Sequence, residues 1–216
     1  LSNGKLNQAV SNPETTGASI LAKLGYDGQV TEDLRLRITG SMYSTGKSGH
    51  VYLYSADRSG SRYYLVMENT EASTSSNFRS GRYNPGFNNE ITAFMINPFV
   101  KYKGLEFFGT FETASGKSDS ETSDRNATQL AGELIYRFGN NENFYIGGRY
   151  NTVDSEDPSG SDITINRTQL GFGAFLTKNI LTKIEYVNQT YDGYDTTSIF
   201  HDGKFNGVLL EAVISF

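Results

Sequence analysis

From Leu34 to Thr39 the chain reads Leu-Arg-Leu-Arg-Ile-Thr, which puts Leu34, Leu36 and Ile38 on one side of a pleat and Arg35, Arg37 and Thr39 on the other. A helix would scatter these positions round its circumference; a strand separates them into two faces. The same period of two recurs over residues 18–26, 105–113, 128–138, 143–151, 167–176, 180–189 and 205–216. It is looser over 89–103, where Pro98 interrupts it. Proline has no N–H to give to a ladder, so Pro98 is expected at a bulge or at a rim. No segment carries a 3.6-residue period. The expected class is therefore all-β, with nine strands, or eleven if 48–68 forms a further pair rather than a hairpin inside a long loop.

The links between these strands sort by length. Short ones at 27–33, 102–104, 139–143 and 177–179 alternate with long polar ones at 44–88, 115–124, 154–162 and 192–204. A soluble sandwich with buried tyrosines gives no reason for that alternation, whereas an outer-membrane barrel has short periplasmic turns and long extracellular loops. Each apolar stripe covers about ten residues, which a tilted strand needs to cross roughly 25–30 Å of hydrocarbon. Tyr26, Tyr102, Tyr136, Phe138, Phe144, Tyr145, Phe172 and Phe175 gather near the short links, where an interfacial aromatic girdle belongs. The expected architecture is an antiparallel transmembrane β-barrel of the bacterial outer membrane. Residues 1–216 form a single unit of it, with 44–88 as a long loop that is either extracellular or infolded.

Composition narrows the function. The 216 residues include no cysteine, which excludes disulfides and cysteine-ligated metal. The net charge is −5 and the pI about 5.1, with no basic run for phosphates to condense on, so nucleic acid is not an expected partner. Gly40–Ser48 nearly reads as a phosphate-binding loop, but five residues separate its glycines where four are required. The acidic stretches Asp119–Asp124 and Asp154–Asp162 lack the spacing of a calcium loop. A hydrolase would have to use His50 or His201, the two histidines present, and no serine sits in a nucleophile elbow. Neither a cofactor, nor a metal, nor an enzymatic activity is expected.

The last twelve residues, Phe-Asn-Gly-Val-Leu-Leu-Glu-Ala-Val-Ile-Ser-Phe, resemble the C-terminal strand signal of Gram-negative outer-membrane proteins, with Gly207 and a final Phe216. That resemblance implies recognition by the barrel-assembly machinery, and a last strand that runs from the outside to the periplasm. Residues 86–216, including 95–112 (MINPFVKYKGLEFFGTFE) and 176–194 (LTKNILTKIEYVNQTYDGY), are also similar to porin-like barrels of Bacteroidota that resemble phosphate-selective porins. The surroundings this implies are outer-membrane lipid and lipopolysaccharide, with other outer-membrane subunits as further partners. Counting back from the last strand, the first one descends from outside. Single-chain bacterial barrels have an even number of strands and periplasmic termini, so the chain is expected to be the C-terminal part of a larger, even-stranded barrel.

Function in such a protein depends on the inner face. The more polar side of each strand carries Lys23, Arg35, Arg37, Lys101, Arg137, Arg149, Arg167 and Lys183 against Glu106, Glu112, Glu133, Glu185 and Glu211. All of these bases but Lys23 are the pore-lining candidates. The basic excess either favours anions at the pore entrance or is absorbed by ion pairs that stiffen the wall. In the 44–88 loop, Arg58, Arg62, Arg79 and Arg82 are interleaved with Tyr52, Tyr54, Tyr63, Tyr64 and Tyr83. In the porins that the chain resembles, an infolded loop narrows the pore, and these four arginines are the constriction candidates; an external hairpin or docking surface is the other reading. The expected function is passive diffusion of small polar solutes, anions among them. The alternative is a non-catalytic accessory or structural barrel subunit of a larger outer-membrane complex.

Overall fold

A computed structural model describes residues 17–48, 54, 66–67 and 81–215. The alternation becomes nine strands: β1 (Ser19–Gln29), β2 (Leu34–Thr45), β3 (Glu90–Tyr102), β4 (Leu105–Lys117), β5 (Arg125–Phe138), β6 (Phe144–Glu156), β7 (Asp162–Thr177), β8 (Ile180–Asp192) and β9 (Lys204–Ile214). They form one antiparallel meander in chain order, with β1 and β9 at its edges. Register is unbroken along almost every seam, as in Leu34↔Tyr102 through Thr45↔Ile91 between β2 and β3. The exception is a bulge between Phe175 and Thr177 of β7.

Unbroken register keeps each face pure. Ile38, Ile96, Phe107, Leu134, Ile146, Leu170 and Ile184 share the outer face and are all exposed; Leu24 and Leu210 on the edge strands reach 83% and 76%. A continuous apolar surface of this size would be untenable in water and is what lipid contact requires. Near the short links, Tyr136, Phe138, Phe144 and Phe172 stack in succession, with ring centroids 6.0, 5.8 and 6.2 Å apart. This is the aromatic girdle. Tyr145 does not belong to it. One residue out of phase with Phe144, it turns inward, and its ring occupies the space that a side chain on Gly173 would need.

Two further expectations are corrected. Pro98 sits at neither a bulge nor a rim: it lies inside β3, opposite Ile38 of β2 in unshifted register. Its ring is accommodated by Gly109 of β4, where an added Cβ would come within 2.9 Å of the Pro98 Cγ. The Asn97 side chain donates to the Gly109 carbonyl (3.3 Å), supplying a hydrogen bond that the proline nitrogen cannot. The link between β6 and β7 is also short. Residues 157–161 are all that separate strands reaching Glu156 and Asp162, which pair directly, so this end of the wall gains height from strand rather than from loop.

On the inner face, the long-link ends of successive strands present small residues in one row. Ala93, Ala114 and Ala127 are register partners across β3, β4 and β5, and the row continues to Ser155 on β6. All four are buried. Small side chains leave a shelf, and Phe87, 1% exposed, fills it together with Ile91 and Tyr43, while Tyr54 and Tyr83 pack against the cluster.

Candidate functional site

Within the 44–88 segment, Tyr54 and residues 81–88 lie against the inner face. Residues 81–88 form a strap across the sheet, hydrogen-bonded by side chains from three strands. Arg167 of β7 donates from Nη2 to the Gly81 carbonyl (2.6 Å), and the Tyr83 hydroxyl donates to Ser155 Oγ on β6 (2.5 Å). Arg125 at the start of β5 donates to the Pro85 carbonyl (2.8 Å) and lies 5.1 Å from the centre of the Phe87 ring. Tyr54 stacks on Tyr43 of β2 at 6.2 Å and donates to Glu112 on β4 (3.1 Å). Gly116 permits the close approach, since a Cβ there would meet the Glu90 carbonyl and crowd Phe87.

Arg125 is the hub of this attachment. Besides the strap, it binds the Glu156 carbonyl (2.7 Å) and the Glu121 carboxylate (2.5 Å). That guanidinium, helped by the Ser118 backbone N–H, holds the Glu121 carboxyl down at about 2. Nothing in the local sequence marks Arg125. The available signal is the row of alanines at equal height on consecutive strands, which calls for something to fill it.

Between strap and wall lies a cavity of about 910 Å³. Four basic side chains line it: Arg82 from the strap, and Arg149, Arg167 and Lys183 from the wall. Four acids face them, Glu112, Glu133, Glu185 and Glu211, so the lining is formally neutral. The charges are largely spent on one another. Lys183 lies 3.4 Å from Glu211 and 3.5 Å from Glu185, Arg149 is 3.8 Å from Glu133, and Arg167 also donates to Gln189. Arg82 keeps one buried nitrogen, Nη1, without a hydrogen-bond partner among the described residues.

The other pore-lining candidates share the inner face but lie outside the cavity lining. Arg35 is paired with Asp27 (2.6 Å) and Arg37 sits over the Phe99 ring (4.9 Å). Lys101 bridges Glu106 and Glu142, both at 3.3 Å, while Arg137 meets Glu106 at 2.9 Å. The basic excess on the strand faces is thus largely cancelled by ion pairs, some to carboxylates beyond the five read from the sequence: Asp27, which lies in β1 on the inner face, and Glu142 in the link after β5. Gly207 lies on β9 opposite Val187. Arg58, Arg62, Arg79, His50 and Phe216 lie outside the described residues. Among the described residues no cluster of three His, Asp or Glu is placed to hold a metal ion. His201 engages the Tyr194 carbonyl through Nδ1 (2.8 Å) and has Asp202 at 3.6 Å from Nε2.

No protein-family model and no curated protein sequence matches the chain. Solved structures do. OmpT of Vibrio cholerae, expressed in the outer membrane, is 13% identical and superposes with a TM-score of 0.52 over 92% of this chain and 56% of that one. The in-vitro folded trimer form gives 12% identity and 0.52, over 91% and 56%. A variant lacking loop L8 gives 11% and 0.51, over 93% and 55%. The chain therefore spans little more than half the length of these proteins. At such identities the likeness carries the fold and no more, and that fold is the transmembrane β-barrel of the bacterial outer membrane.

Proposed function

We propose that the chain forms part of the wall of a porin-like channel through which small polar solutes diffuse passively. The observation that supports this most is the strap: residues 81–88 are held off the centre of the sheet at its long-link end, leaving a cavity of about 910 Å³ between strap and wall. A loop folded onto the inner face narrows a channel without closing it. Arg149, Arg167 and Lys183 then line the pore and Arg82 its constriction, with Arg58, Arg62 and Arg79 assigned to the same loop. Arg35, Arg37, Lys101 and Arg137 line the periplasmic half. The likeness of 86–216 to Bacteroidota barrels that resemble phosphate-selective porins fits a channel. The ion pairs along the wall argue against a strong preference for anions, because a paired guanidinium offers little net field to a passing charge.

In this reading lipid and lipopolysaccharide surround the outer face, and the barrel-assembly machinery reads Gly207 and Phe216. The protein acts without catalysis. Planar-bilayer recording of the full-length protein tests the proposal. Discrete single-channel steps are the expected result; their consistent absence from correctly folded protein overturns it in favour of a plugged accessory barrel within a larger complex.

A further inference from the structure

The lining of the cavity bears on what the channel carries, and the argument rests on the channel reading above. A site built for an anion concentrates unpaired cationic donors, and one built for a cation concentrates carboxylates. This cavity does neither, having four of each sign, most of them engaged with one another. Apart from one nitrogen of the Arg82 guanidinium, what it leaves unspent is neutral. Gln129 donates through Nε2 to the Asn151 Oδ1 at 2.5 Å, which leaves the Gln129 carbonyl and the Asn151 amide with no further partner among the described residues. An amide carries both donors and acceptors, so the pair presents one of each, side by side.

The neighbourhood leaves room for a hydroxyl-bearing molecule. Gly147 and Gly171, register partners on β6 and β7, clear the wall below this pair. The Tyr145 ring lies at the far end of the cavity, about 20 Å down β6 from Asn151, and is occupied by Gly173 beneath it and the Arg137 guanidinium 5.7 Å from its centre. Arg82 adds its unpartnered Nη1 from the strap side, a donor that a hydroxyl oxygen satisfies without requiring net charge. The volume lies within the range of small-molecule sites.

We propose that the cavity between strap and wall is a binding site for neutral polyhydroxylated solutes, mono- or oligosaccharides, which the Gln129–Asn151 amide pair holds during passage. Single-channel recording with sucrose, maltotriose, inorganic phosphate and glycine as separate probes tests it. The expected result is saturable block of the ion current by the sugars, with no saturable block by phosphate or glycine. The Gln129→Ala and Asn151→Ala variants, first checked for heat-modifiable migration as folded barrels, each weaken sugar block by about tenfold, the effect of losing one hydrogen bond. Saturable block by phosphate or by glycine but not by sugar overturns the proposal, as does the absence of any saturable block. Because both of those results require a conducting channel, they leave the channel reading standing, whereas loss of all conductance strikes the channel reading itself.

Discussion

Glu121 and Arg125 set the pH range over which the strap is firmly attached. The Glu121 carboxyl titrates near 2 in the folded protein against an ordinary 4.5, so its folded pKa is depressed. Its contribution is complete above the unfolded value and fades as pH falls from 4.5 towards 2. Limited proteolysis of the 44–88 segment should therefore be slow and constant above pH 5 and accelerate below about 4 with an acid-stable protease, while Glu121→Gln should flatten that profile. A second residue-scale prediction concerns the proline seam. Gly109→Val drives a side chain into the Pro98 ring and should cost about 1–3 kcal/mol in reversible urea unfolding from detergent. Asn97→Ala leaves the Gly109 carbonyl short of a donor and should cost about 1 kcal/mol. The rule that proline avoids interior strands was readable in the sequence. Its local remedy was not, because Asn97 and Gly109 meet only once two strands are in register.

At the scale of the elements, period two carried most of the information. A one-residue slip would exchange the faces, so once the strands are recognised each side chain's face follows, and the eight bases and five acids read from the sequence all lie on the inner side. Loop geometry is a different matter. That residues 81–88 fold in depends on Phe87 meeting Ala93, Ala114 and Ala127 on three different strands, and no stretch of sequence a few residues long encodes that. The height of the wall is also misread at 154–162, where Asp154, Ser155, Glu156 and Asp162 are paired strand and the link is confined to 157–161. The strap yields a prediction of its own. Arg125→Ala removes its bond to the Pro85 carbonyl and its contact with Phe87, and should raise single-channel conductance as the strap leaves the inner face. Ala127→Leu, which fills the shelf from the wall side, should do the same without touching a charge.

For the whole molecule, the odd number of strands among the described residues has a consequence. In an antiparallel meander of nine, β1 and β9 run in the same direction, so joining them directly would give a parallel seam. Backbone groups left unpaired in hydrocarbon cost several kcal/mol each, so each edge strand of the described sheet needs a partner. The outward aliphatics and the inward charges make one claim together: this sheet separates lipid from water. The absence of cysteine allows that claim to be tested directly, by single cysteines placed along β5 in the reconstituted protein, each carrying a nitroxide. Labels at 130, 134 and 136 should be accessible to oxygen dissolved in the lipid, and labels at 129, 133 and 135 to a water-soluble nickel chelate, alternating residue by residue. Uniform access of the nickel chelate to both sets, or the opposite alternation, would contradict a membrane-spanning wall with this inner face.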